Sequence, residues 1–178
     1  DTKGLVLPCP GPSVGQLKLN EILADPGASD PNQDGLSDSS ADEFVEILNV
    51  SDRHLSLAGV SLRVGSRTKH TFEASCLKTG HAIVIFSGGT PAEAPPGSRS
   101  ITSSKRLTLS NQGATVSLYD ITGERLDSHR YAKTTDKGTS TTRSPDGSGS
   151  WGSHMDDSRD ALMSPGQCVN GGYFPECD

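Results

Sequence analysis

No stretch of this chain carries the three-to-four-residue apolar period of a helix; apolar residues instead recur at every second position in short runs, each ended by Gly, Pro, Asp, Asn or Ser. Period-two alternation turns one side of an extended strand into a core and the other away from it. QLKLNEIL (16–23) is the first such run, with Leu17, Leu19, Ile22 and Leu23 facing inward around a register change. FVEILNV (44–50), LSLAGVSLRV (55–64, bent at Gly59) and TKHTFE (68–73) follow. HAIVIFS (81–87) is the most continuously apolar run and belongs in the middle of the core. GGTPAEAPPGSRS (88–100) reads as a loop. RLTLS (106–110), ATVSLYD (114–120) and ERLDSHRYA (124–132) then make a meander with its tightest turn at 120–123, and STTRSPDG (140–147) adds at most one edge strand. The chain is therefore all-β, with about 8–9 strands and almost no helix.

Composition narrows the architecture. At 178 residues the chain fits one domain, and with 31% apolar and 4% aromatic residues its core must be assembled from Leu, Ile and Val on half-buried strands. Twenty Gly and eleven Pro supply the turns of a sandwich or barrel. A net charge of −6 argues against nucleic acid as a partner unless the charge is segregated.

The acid is concentrated. DPGASDPNQDGLSDSSADEFVE (25–46) holds seven carboxylates and no Lys or Arg. Asp30, Asn32 and Asp34 alternate, Gly35 follows, and Asp38 comes next, in the order D-x-N-x-D-G-x-x-x-D. Ca²⁺ takes about six to eight oxygens, and a chain supplies them from alternating positions only if it turns sharply, which Gly permits. Counted from Asp30, the Leu36 carbonyl takes the seventh position of a helix-flanked calcium loop and Asp38 the ninth, but Ala41 stands where a bidentate carboxylate belongs. Asp42 or Glu43 must then close the shell. Asp25-Pro26-Gly27 before the loop and a strand after it exclude flanking helices. The expected ligands of a structural Ca²⁺ are thus Asp30, Asn32, Asp34, Leu36, Asp38, and Asp42 or Glu43; a solvated acidic turn without metal is the alternative.

Cys9, Cys76, Cys168 and Cys177 are too scattered for a zinc site and read as two disulfides. Three pairings are open; the preferred one anchors Cys9 to the body and leaves Cys168 and Cys177 to hold the C-terminal tail. Disulfides and calcium together suggest an extracytoplasmic compartment: secreted, cell-surface or periplasmic. No apolar run reaches the length of a membrane span, and DTKGLVLPCPGP resembles what removal of a signal peptide would leave.

In sequence order, LKLNEILADP, DEFVEILNVSDRHLSLAGVSLRV, TFEASCLKTGHAIVIFSGG, LSNQGATVSLYDITGERLDSHRY, TRSPDGSGSW and SPGQC resemble the lamin tail domain family, in particular its bacterial secreted members, over residues 16–167. The family pattern is met by Asn20, Glu21 and Ile22, then Glu43, Phe44, Val45 and Glu46, and Asn49; Val60 stands where the family often has Trp. The resemblance implies an immunoglobulin-like β-sandwich between an N-terminal arm (1–15) with Cys9 and a Cys-containing tail (168–178). It also implies a noncatalytic interaction or scaffolding module, acting as a monomer on a surface protein or glycan. Trp151 then plugs the sandwich; an exposed Trp near a loop could instead stack on a sugar or a peptide partner.

Two other functions remain to be weighed. Arg99, Lys105 and Arg106, or Arg125, Arg130 and Lys133, would serve a nucleic-acid or anionic-polymer binder if gathered into a patch. Glu21 and Glu46, on neighbouring strands, would serve a calcium-dependent hydrolase, although hydrogen-bond partners or support for the calcium loop is the simpler role. Ser13 in GPSVG lacks the strand-to-helix elbow a nucleophile needs, and His54, His70, His81, His129 and His154 stand singly.

Overall fold

The computed structural model describes residues 9–134, 136–157 and 161–177. In chain order its strands are Leu17–Leu23 (β1), Phe44–Asn49 (β2), Leu55–Ser56 (β3), Ser61–Val64 (β4), Arg67–Thr71 (β5) and Cys76–Leu77 (β6). Ala82–Phe86 (β7), Ser98–Thr102 (β8), Ala114–Tyr119 (β9), Arg125–Tyr131 (β10), Thr141–Ser144 (β11) and Ser150–Ser153 (β12) follow, then one helical turn, His154–Asp157 (α1). A six-stranded sheet ordered β12-β11-β1-β2-β7-β8 faces a four-stranded sheet ordered β10-β9-β4-β5, and β3-β6 form a small ribbon. This is the expected sandwich, with more and shorter strands than the sequence indicated.

The core lies between the two large sheets. Leu19, Ile22, Val45, Ile47 and Ile85 meet Leu62, Val116, Leu118 and Leu126, all essentially sealed from solvent. Aliphatic side chains fill it, each contributing roughly 1.5–3 kcal/mol on full burial. Val60 joins this cluster.

A bulge in β1 decides what else the fold must do. Pairing with β2 shifts register between Leu19 and Glu21. Leu17, Leu19 and Ile22 consequently face the core, while Glu21 and Leu23 are thrown onto the outer face of the six-stranded sheet. The expectation that Leu23 faces inward is corrected on this point. The displaced backbone at Leu19 is satisfied by side chains: its N–H donates to Asp127 Oδ2 at 2.9 Å, and Arg143 Nε donates to its carbonyl at 2.9 Å.

That outer face is covered by a C-terminal strap, residues 161–177. Met163 packs on Leu23, Phe44, Val84 and Phe86, and Cys168 and Phe174 pack on Leu48 and Ala82. Between these clusters Glu21 and Glu46 stand opposite each other in the ladder, both fully buried. Glu21 accepts the N–H of Ser164 (2.9 Å), Glu46 that of Gly166 (2.7 Å), and Asp146 that of Val169 (3.0 Å). Asn20 donates to both Glu46 and Asp146 at 2.8 Å, which ties the β11–β12 turn into the network. Both disulfides follow the preferred pairing: Cys9–Cys76 pins the arm to β6, and Cys168–Cys177 lies within the strap.

Four strand assignments change. The run 55–64 splits into β3 and β4, which belong to different sheets. RLTLS is not a strand: Leu107 and Leu109 do enter the core, but their N–H groups donate to Ser87 Oγ and Glu43 Oε2, and Thr108 has φ 55°. The end of the supposed loop 88–100 opens β8, which pairs in parallel with β7. β11 is interior, because β12, absent from the sequence reading, covers its outer edge.

Removing the Glu46 carboxylate would leave one N–H of the Asn20 amide, whose other still donates to Asp146, and the Gly166 N–H buried without partners, at about 1–3 kcal/mol each. Glu46→Ala is expected to lower the unfolding free energy by about 3 kcal/mol in urea titration. It should also speed amide exchange at Gly166 ahead of global unfolding; unchanged protection there would mean that apolar contacts alone hold the strap.

Candidate metal centre

The loop joining β1 to β2 is organised by its own acids. Asp30 accepts the N–H groups of Asp34 (3.2 Å) and Gly35 (3.0 Å), which requires the tight turn that Gly35 makes at φ 88°. Asn32 is nearly fully buried, and its Oδ1 accepts the Asp34 N–H at 2.9 Å. Asp34 accepts Leu36 N–H at 3.0 Å through Oδ1 and, through Oδ2, the N–H of Thr90 at 3.2 Å. Leu36 is 69% exposed. Asp38 caps the turn at Ser40 and Ala41, and Arg106 stands 3.9 Å from its carboxylate.

Asp42 and Glu43 part company because adjacent residues entering a strand point to opposite sides. Asp42 is fully buried; its Oδ2 accepts the Asp38 N–H at 2.7 Å, and its Oδ1 has no hydrogen-bond partner. Burial first, and then repulsion from Asp30, Asp34 and Asp38, raises its pKa, so the charge of the loop converges on this side chain. Glu43 turns the other way and accepts the Leu109 N–H at 3.0 Å. Asp30, Asp34, Asp38 and Asp42 therefore share one loop environment, and the Glu43 carboxyl lies outside it.

The β7–β8 connection packs against the same loop, a contact the sequence reading missed. Ala92 N–H donates to the Asn32 carbonyl at 2.8 Å. Gly89, at φ 74°, has no room for a Cβ beside Asn32 and Asp34, so the Gly88-Gly89 pair was the available signal. Among the described residues, one group of three acid, His or Cys side chains brings its ligand atoms within 4.8 Å of one another: Asp146, Cys168 and Cys177. Its two sulfurs are joined to each other, which removes them as metal ligands. The loop acids do not form a second group that compact, each being engaged by backbone N–H groups.

The other sequence candidates are placed as follows. Glu21 and Glu46 have no exposed oxygen: Glu21 is held by Ser140 and Ser164, Glu46 by Asn20 and Gly166. Burial raises both pKa values, and Glu21 adds repulsion that pushes Glu46 well above the carboxylate range. They fasten the strap. Trp151 packs at the margin of the core, stacked on His129 at 3.8 Å, with the Arg143 guanidinium 4.9 Å from its ring, as a plug would. Arg106 and Arg99 are engaged with Ser40 and Ser75.

The profile described as Lamin Tail Domain matches residues 10–133, well over half of the chain. The chain belongs to the lamin tail domain family. That family is an immunoglobulin-like, non-enzymatic one, in keeping with a sandwich whose paired acids are sealed. No curated protein matches the chain significantly. β11, β12 and the strap lie beyond the matched part of the lamin tail domain. No helix among the described residues is long and apolar enough to cross a membrane.

Burial also pushes Glu43 up, to about 7, against the opposing pull of the Leu109 N–H, the Ser87 hydroxyl and the Thr108 N–H. Its folded pKa exceeds the ordinary 4.5, so the protonated form favours the native state. That stabilisation is complete below pH about 4.5 and disappears as pH rises to about 7. Glu43→Gln should flatten this part of the stability profile, read as urea midpoints across the interval.

Proposed function

We propose that this lamin tail domain is a noncatalytic interaction and scaffolding module of an exported bacterial protein, and that its first loop holds a structural Ca²⁺. The observation that carries the metal assignment is the sheltered Oδ1 of Asp42, a carboxylate oxygen with no hydrogen-bond partner in a loop whose other acids repel its charge. A buried acceptor without a donor costs free energy, and a cation is the partner that also relieves repulsion among four carboxylates. Asp30, Asp34, Asp38 and Asp42 supply the charge, and the Leu36 carbonyl and Asn32 Oδ1 are neutral oxygens of the same loop. Hard oxygen donors of this kind suit Ca²⁺.

With strands on either side and no helix to reorient, the ion acts as a clamp. It would tie the β1–β2 loop to the start of β2 and, through Asn32 and Asp34, to the β7–β8 connection. Two disulfides and a calcium site both fit an extracytoplasmic setting, where oxidised thiols persist and calcium is abundant. The partner is a surface protein or glycan, bound by a monomer.

Calcium that binds only the folded form adds about 3–4 kcal/mol when free ion exceeds its dissociation constant several hundred- to a thousandfold. For a domain of this size that raises Tm by about 10 °C. Calorimetry with Ca²⁺ and with chelator should show this rise for the wild type and for Glu43→Gln, and lose it in Asp42→Asn. A wild-type Tm that chelator leaves unmoved would sink the calcium assignment.

A further inference from the structure

The outward face of the four-stranded sheet has a composition of its own. Leu62, Val116, Leu118 and Leu126 point into the core, so the alternate residues of β4, β9 and β10, with their neighbours on β5, point out. Cross-strand register arranges these in rows. One row is Thr71, Ser61, Tyr119 and Arg125. The next is Thr68, Arg63, Ser117 and Ser128, and the last pairs Thr115 with Arg130. Every member is a hydroxyl residue or an arginine, and each row contains one arginine.

Among the described residues no acid is paired with these arginines. Asp127 is the single carboxylate in the four strands, and it is held between Lys18 and Arg143, on the side of β1 and β11. Among the described residues, Arg63, Arg125 and Arg130 take part in no ion pair. Arg63 lies over the Tyr119 ring at 4.0 Å, and its Nε is buried without a hydrogen-bond partner. Arg125 and Arg130 are exposed. Asp120, beyond the Arg125 row, is occupied by its own turn at Thr122 and Glu124, so the Arg130 end is the more positive. Ser61 and Ser117 are buried, and Ser117 Oγ is bonded to Ser128 Oγ at 2.8 Å, so the hydroxyls this face offers are those of Thr68, Thr71, Thr115 and Tyr119. A chain of net charge −6 thus presents one face that is locally cationic and edged with hydroxyls.

We propose that this face binds a carboxylated polysaccharide. Guanidinium groups fork onto carboxylates, and the Thr and Tyr hydroxyls beside them exchange hydrogen bonds with sugar hydroxyls as both donors and acceptors. Strands lie about 4.8 Å apart, so Arg63 and Arg130 occupy strands about 10 Å apart, and Arg125 and Arg130 lie about 16 Å apart along β10. Three cations over that span match a polymer of sparse charge. Duplex DNA, with a charge per about 1.7 Å, calls for denser neutralisation and would be repelled by the rest of the molecule. The inference names a partner for the interaction module proposed above and rests on that reading, but not on the metal: the face belongs to the other sheet from the acidic loop's flanking strands.

The test is affinity electrophoresis of the full chain through gels containing hyaluronan, neutral dextran or duplex DNA, in Ca²⁺ and in chelator. Hyaluronan should retard the protein, dextran should not, and added salt should weaken the retardation. Arg125→Gln with Arg130→Gln should weaken binding about tenfold, the equivalent of about 1.4 kcal/mol, with Tm unchanged because both side chains are exposed. The double Lys variant should fall between, Arg63→Gln gives an independent reading, and Arg53→Gln, in an exposed loop, should bind as wild type does. Equal retardation by dextran, tighter binding of DNA at the same salt, or full binding by the double Gln variant would overturn the proposal. A calcium-raised Tm without hyaluronan binding overturns the face and leaves the clamp; binding without a calcium effect on Tm does the reverse.

Discussion

Two carboxylates facing each other across β1 and β2 dictate the outer half of this molecule. Taking a carboxylate out of water is costly unless it stays protonated or is fully hydrogen-bonded, and Glu21 and Glu46 draw on both remedies. Their acceptor oxygens need donors, which come from the backbone of the strap and from Ser140, Ser164 and Asn20. The apolar patches on either side need cover, which the same strap provides through Met163 and Phe174. The acids set the register of the strap, and the strap makes the burial of the acids tolerable.

Much of this was legible in the residues. The alternation of β1, β9 and β10 and the apolar runs of β2 and β7 mark these strands, because one face of each contributes Leu, Ile or Val to a single core. The change of register in QLKLNEIL was visible as well, since Leu19 and Ile22 cannot both face inward in an unbroken period of two. RLTLS misled for a physical reason: its leucines alternate correctly, but its backbone donors go to the side chains of Ser87 and Glu43 rather than to a ladder. β8 was hidden because a parallel partner leaves no hairpin signal, and four of its five residues are polar.

The acidic loop was legible as a group and illegible in one detail. Spacing alone cannot tell whether Asp42 or Glu43 turns toward Asp30, Asp34 and Asp38, because both stand at the entrance to β2. The choice depends on which faces the core-side segment 103–110, and that segment reaches Glu43 from 66 residues further along the chain. The basic face was equally hidden: Arg63, Arg125 and Arg130 are scattered in sequence, and only sheet order aligns them. Negative charge collects in a loop and positive charge on a sheet, so the net value describes neither surface.

The two disulfides differ in what they connect. Cys9–Cys76 spans 67 residues and joins the arm to the body, whereas Cys168–Cys177 spans 9 and closes the strap on itself. No cross-link fixes the strap to the sheet it covers. Its attachment is made of hydrogen bonds and apolar contacts, the same forces by which a separate peptide would bind, and the internal bridge keeps it shaped for that contact. In this sense the strap is given its shape by its own bridge and its place by noncovalent contacts, so that form and seating depend on different bonds.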